Sequence, residues 1–259
     1  EDRNHLGIAK PINVPMGAYR AERIAAELAA RDDWTVESIH ALQHDVYSTQ
    51  AERFLPVLLP CLPDTAAADV LRHWDRRYDP ASRGAALFER FYRTLFADVF
   101  GSVCGADVAR YLLAETNTVA DFYANFDAVL LDARSVWYGP AGRDAAWRRV
   151  AALTVVDPVR PWGEERRVSV RHLLYGNRLP AWLGFDRGPI VLPGGRATVH
   201  QGQIYRAGGR ETTFAPSYRI VTDLGENVAH TCLAGGPSDR RFSRWYASGL
   251  ADWLARRLK

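Results

Sequence analysis

Up to Leu153, apolar residues recur at intervals of three and four, the spacing that lines one face of a helix. Residues 19–30 place Ile24, Ala25 and Leu28 on one face and fill the remainder with alanine, which predicts a helix. Thr35 stands as an N-cap for a long second helix with Ile39, Leu42, Val46, Phe54 and Leu55 as its apolar positions. Pro56 is expected to end or kink it. A short helix over residues 65–74 follows. Asp79-Pro80-Ala81-Ser82 then opens another, with Leu87, Phe88, Phe91, Leu95 and Phe96 marking a strongly apolar face. The same periodicity predicts helices over residues 107–114, 119–131 and 143–153.

Near Trp162 the period changes. Residues 167–171 (RVSVR) alternate charged and apolar positions, as a half-buried strand does. A loop rich in glycine and proline follows. Residues 197–205 (ATVHQGQIY), 218–223 (YRIVTD) and 228–233 (VAHTCL) read as further strands, the last two joined by the turn Leu224-Gly225-Glu226-Asn227. An amphipathic helix over residues 245–258 closes the chain. Helices first and strands last predict an α+β fold, with a mainly helical part over 1–160 and a strand-rich part with a C-terminal helix over 161–259.

Composition narrows the class without naming a function. The 259 residues are 47% hydrophobic and 24% charged, which fits a soluble chain with a substantial core and excludes disorder and collagen-like repeats. FLPVLLPCLP is short and interrupted by three prolines, so no membrane span is predicted. Thirty-three basic and thirty acidic residues are interspersed, with no stripe suited to tracking phosphates, and no nucleic-acid partner is expected. Residue 1 is Glu1 and Met16 is the sole methionine, so a processed chain or an excised fragment is expected. Cys61, Cys104 and Cys232 form no metal-binding spacing; each sits in an apolar context suited to a buried thiol, and their disulfide state stays open.

Few constellations carry chemistry. His40 and His44 have helical spacing that can place two imidazoles on one metal, but no glutamate follows the first, and solvated helix histidines are expected. Trp74-Asp75 with Asp79 reads as a buried tryptophan beside a capping aspartate. Neither Gly194-Gly195 nor Gly235-Gly236 belongs to a nucleotide-binding loop. Ser217, Ser238 and Ser243 lack a nucleophile elbow, and nothing in the sequence assigns His200 or His230 to them as a base.

The order of local motifs goes further. Tyr19-Arg20-Ala21-Glu22-Arg23-Ile24 looks like a YRA-x-RI helix start, and Gln43-His44-Asp45-Val46-Tyr47-Ser48 with Ala51 like Q-x-D-x-x-S-x-x-A. Trp74-Asp75 with Ser82 and Ala85 looks like a WDG…DS-x-A turn into a helix. Trp162-Gly163, Gly195 with Thr198-Val199, and Ser217-Tyr218-Arg219 with Asp223 look like WG, G-x-x-TV and SYR…D segments. Gly235-Gly236-Pro237-Ser238, Phe242-Ser243 and Tyr246 resemble a GGQSG-x-PFSPHY signature. Together these resemble the C-terminal half of the β-chain in the penicillin acylase family of N-terminal nucleophile hydrolases. Arg76 departs from the glycine after Trp-Asp; Pro237, Asp239 and Arg244-Trp245 depart from the closing signature.

The resemblance implies part of a four-layer αββα fold. It implies an amidohydrolase that cleaves an acylated small molecule by acyl transfer to an N-terminal serine whose own α-amino group is the base. That serine lies outside this chain, so this chain alone is expected to be inactive. In the family an oxyanion-binding asparagine precedes the YRA-x-RI arginine by about twenty residues, just ahead of Glu1 here; Asn4 is the nearest candidate, several residues off that spacing. Arg20 matches the arginine close to the catalytic centre, whereas its local sequence alone reads as a surface helix arginine. The expected partners are the upstream part of the same β-chain and the α-chain. Structural calcium is allowed in the parent with ligands mainly upstream, so no metal or cofactor is assigned here. Self-cleaving maturation and a periplasmic or extracellular location are implied. A non-catalytic binding or scaffold module built on this fold, and an enzyme of another class, are the alternatives.

Overall fold

A computed structural model describes residues 17–259 except 116, 166, 208 and 209. Eight helices lead: α1 (Tyr19–Ala29), α2 (Val36–Gln43), α3 (Thr49–Leu58), α4 (Ala66–Arg72), α5 (Arg83–Cys104), α6 (Ala106–Glu115), α7 (Asn117–Leu131) and α8 (Gly142–Thr154). After the single turn α9 (Trp162–Glu165) come β1 (Arg167–Val170), β2 (Arg187–Val191), β3 (Gln203–Ala207), β4 (Arg210–Phe214), β5 (Tyr218–Asp223) and β6 (Val228–Leu233). A short α10 (Leu250–Leu254) follows. The strands form three antiparallel hairpins, β1–β2, β3–β4 and β5–β6. The α+β class is therefore observed. Among the described residues no helix is long and apolar enough to cross a membrane.

The core gathers around α5. Ser82 caps it by accepting a hydrogen bond from the Ala85 amide at 3.2 Å, and Gly105 ends it with φ +93°. Leu87, Phe88, Phe91, Leu95 and Phe96 are fully buried, as the apolar pattern requires. Phe54 of α3 and Trp147 of α8 stack at 5.6 Å beside them. On another side of α5, Glu89 and Tyr92 are also buried, because the segment 193–202 lies across them. That segment is expected to be a strand from residue 197, yet it is a buried loop, and only Gln203–Ala207 is strand. Its turn needs Gly194, which has φ +81° and no room for a β-carbon against the His200 carbonyl.

Two other expectations are corrected. The long helix from Thr35 is two helices. Thr35 and Ser38 form a capping box as expected, but the chain leaves the helix at His44. Asp45 accepts a bond from the Tyr47 amide, and Ser48 caps α3 through the Ala51 amide. Both side chains offer the backbone local bonds that compete with a continuous helix. Residues 46–48 pair instead with 76–78, through Tyr78 N–H to the Val46 carbonyl and Ser48 N–H to the Arg76 carbonyl. Pro56 lies inside α3 rather than ending it; the carbonyl it cannot bond belongs to exposed Glu52, which water can reach.

The closing helix is shorter than its amphipathic pattern suggests. Ala247 and Arg256 adopt left-handed φ of 57° and 56°, which confines α10 to five residues. Trp253 is nevertheless buried, and its indole donates to the Pro216 carbonyl at 2.8 Å.

Candidate functional site

The inward side of α1 is polar. Ala25 and Leu28, expected on a buried face, are exposed, while Tyr19 is buried and Arg20, Arg23 and Glu27 are half-buried. Arg20 is thus not a surface arginine. Its Nη2 donates to the Val199 carbonyl at 3.2 Å, and its Nε is buried without a partner among the described residues. Burial lowers its pKa from the usual arginine value.

Asp45 is the junction between the N-terminal helices and the 193–202 loop. Its carboxylate accepts from Arg23 Nε at 2.6 Å and from Arg77 Nη1 at 3.3 Å. Its carbonyl accepts from the His200 amide at 2.8 Å. Arg23 also pairs with Glu27 at 2.7 Å and lies over the Tyr47 ring at 4.5 Å.

Three histidines line up beside this junction. The His40 and His44 rings meet edge-on at 4.4 Å, and His44 stacks on His200 at 5.5 Å. His44 is buried and His40 half-buried, which corrects the expectation of solvated helix histidines; His200 is buried too. Hydrogen bonds fix their tautomers. The His40 carbonyl can only accept, so neutral His44 carries its proton on Nδ1, at 2.8 Å from that oxygen. Arg219 Nη2 can only donate, so His200 accepts on Nδ1 at 3.3 Å and is protonated on Nε2. Burial, opposed by the His40 carbonyl bond, brings the His44 pKa down to about 4. Burial together with the Arg219 charge brings His200 to about 3. Both rings are neutral at pH 7.

Beneath the loop lies a second polar layer. Arg196 and Glu89 pair at 2.8 Å, both buried, and the Arg196 guanidinium covers the Tyr92 ring at 4.0 Å. Burial opposes the Arg196 charge most strongly, but Glu89, Tyr92, Tyr78 and Asp127 together outweigh it and hold the guanidinium protonated. Buried Asp127 accepts from Tyr19, Gln50 and Tyr92 at 3.0, 2.7 and 2.7 Å; burial raises it to about 6. Arg196 thus holds the loop against α5, and Asp127 ties α1, α3 and α5 to one another.

The segments singled out in the sequence therefore contact one another. Arg20 meets Val199, Arg23 meets Asp45, and Arg219 meets His200. The Trp162 indole donates to the Gly194 carbonyl at 3.0 Å, and Gly84 abuts the Trp74 ring. Asn4 lies outside the described residues. Sequence reasoning named Arg219 only as part of the SYR…D segment and left His200 unplaced. The pairing of these two buried groups was not visible because they approach across different elements.

Chemically, the seam offers fixed guanidinium groups and neutral imidazoles, suited to orienting polar groups rather than attacking them. The Ser48 and Ser82 hydroxyls cap helices, and those of Ser238 and Ser243 close turns. Among the described residues no group of three or more His, Cys, Asp or Glu is disposed to hold a metal. The three cysteines are free thiols; Cys61 and Cys232 are buried as expected, whereas Cys104 is exposed at the end of α5. A cleft of about 630 Å³ opens beside Arg23, His44 and Asp45. Compared with known families, residues 6–259 match the model of the penicillin amidase family.

Proposed function

Because this chain belongs to the penicillin amidase family, we propose that it is the frame of an amidohydrolase whose nucleophile lies outside it. The family match across residues 6–259 is the observation that carries this reading. In it, a serine at the start of the β-chain attacks the amide carbonyl while its own α-amino group takes the hydroxyl proton. The amine half leaves with that proton, and water then cleaves the serine ester to release the acid. The hydroxyl roles of Ser48, Ser82, Ser238 and Ser243 favour a nucleophile elsewhere.

Arg20 is the residue of this chain placed nearest the chemistry. It is a positioning residue: the Val199 carbonyl fixes one edge of its guanidinium, and the unpartnered Nε remains to orient the oxyanion-binding asparagine, for which Asn4 is the nearest candidate in this chain. The remainder of the chain supplies late strands and helical cover to a four-layer fold. Its partners are the upstream β-chain and the α-chain, any structural calcium takes its ligands upstream, and the protein works in the periplasm or outside the cell on an acylated small molecule.

The test is amide hydrolysis by the full-length protein with and without Arg20→Ala. Loss of a preorganised charged group of this kind typically lowers kcat by roughly 10²–10³. Arg20→Lys should rescue little, since an ammonium lacks the planar fork. The broken bond to Val199 should cost only about 1 kcal/mol of stability. A variant that folds and turns over like the wild type would remove Arg20 from the site. A full-length protein with no hydrolytic activity on acylated amines would favour the scaffold module instead.

A further inference from the structure

Arg20 and Arg23 lie three residues apart on α1, so both side chains leave the same face of the helix. Both end on the same residue by different routes. Arg23 Nε binds the Asp45 carboxylate directly, at 2.6 Å. Arg20 reaches Asp45 through one peptide group. Its Nη2 donates to the Val199 carbonyl at 3.2 Å, and the amide of that same peptide, on His200, donates to the Asp45 carbonyl at 2.8 Å. The contacts close a circuit that runs from α1 through the Val199–His200 peptide and Asp45 back to α1.

The circuit has little freedom. A peptide group is planar, so anchoring its N–H fixes the direction of its C=O. Asp45 is itself buried and held, since its Oδ1 accepts from the Tyr47 amide at 3.1 Å and from Arg77 Nη1 at 3.3 Å. On the loop side, buried Thr198 spans the peptide. Its hydroxyl accepts from the Gly195 amide at 2.9 Å and donates to the His200 carbonyl at 2.6 Å. A guanidinium is a rigid plane, so fixing Arg20 Nη2 also limits the direction in which the unpartnered Nε presents its proton.

We propose that Asp45 is a second positioning residue for amide hydrolysis: it aims the Arg20 guanidinium through the His200 amide and locks α1 to the same point through Arg23. The proposal rests on the reading that Arg20 stands beside the chemistry. An ion pair that merely fastened α1 would need Arg23 alone. Here the same residue also orients the peptide that Arg20 grips, so a loosened Asp45 is felt at Arg20 from both ends of the circuit.

Steady-state amide hydrolysis by the full-length protein tests it, with Asp45→Asn, Arg23→Met and Arg20→Ala made singly and in pairs. Asp45→Asn keeps one acceptor oxygen, enough for the Tyr47 amide, and replaces the oxygen that Arg23 binds with a donor. Arg23→Met leaves Asp45 and its local bonds in place and opens the circuit from the helix; it decides alone if Asp45→Asn does not fold. Each should lower kcat by roughly 10–10²-fold with KM unchanged, the scale of a misplaced orienting group. In the Arg20→Ala background neither should lower kcat further, because the group they position is gone. A purely structural role would instead lower the thermal transition and cut kcat by the same factor in both backgrounds. Wild-type kcat in folded Arg23→Met, or losses that multiply with that of Arg20→Ala, would overturn the proposal and leave Arg20 in the site. Wild-type kcat in Arg20→Ala, or no hydrolysis by the full-length protein, would remove the reading of Arg20 and this proposal together.

Discussion

His44 and His200 show how a few buried residues set the behaviour of this protein with pH. In the unfolded chain each takes a proton near pH 6.5, whereas in the fold His44 resists until about 4 and His200 until about 3. Their contribution is therefore complete above pH 6.5 and is lost as pH falls below it. Asp127 acts in the opposite sense. Its folded pKa of about 6 lies above the ordinary 3.8, so between these values acid favours the folded state at this one group. Two imidazoles outweigh one carboxyl, and stability should fall from pH 7 to pH 5. Urea midpoints across that range check this. His200→Asn should flatten the fall and Asp127→Asn should steepen it. A midpoint that holds or rises on acidification would show that the histidine stack is not neutral in the fold.

At the scale of elements, the turn between α4 and α5 carries a specific strain. Arg76 has φ +64°, at the position where the motif resembled here has glycine. Its carbonyl still receives the Ser48 amide, so the pairing of 46–48 with 76–78 holds the residue in that conformation. A non-glycine residue there costs on the order of 1 kcal/mol. Arg76→Ala loses the contact with the Tyr47 ring, 5.4 Å away, and keeps the strain; Arg76→Gly loses the contact and relieves it. The glycine variant should be more stable than the alanine variant by about 1 kcal/mol in denaturant titration. Equal stability would mean that the turn is not strained.

The elements also show what the sequence could reveal. Ser82, the α5 phenylalanines and the bounds of β5 and β6 with the turn between them were legible, because caps, helical periodicity and strand alternation are local signals. The break at His44 was not, since Asp45 and Ser48 act through side-chain bonds that periodicity does not register. Residues 197–202 alternate like a strand, but the His200 amide is answered by Asp45 and the Val199 carbonyl by Arg20, far away in the chain, rather than by a neighbouring strand. Arg20 was found only through its motif; its burial depends on Val199, 179 residues away.

For the whole molecule, membership of the penicillin amidase family points to an amidohydrolase, and the seam joining α1, Asp45, the 193–202 loop and β5 is the part proposed for this chain in it. On the reading proposed above, this chain positions and the bond-making serine belongs to an upstream portion. The most direct measurement is covalent labelling of active full-length protein with a serine-directed sulfonyl fluoride, followed by peptide mass mapping. The account predicts one modified serine, at the amino terminus of a chain segment outside residues 17–259, appearing in step with loss of amide hydrolysis. A stoichiometric label on any serine within residues 17–259 that tracks the loss of activity would contradict it.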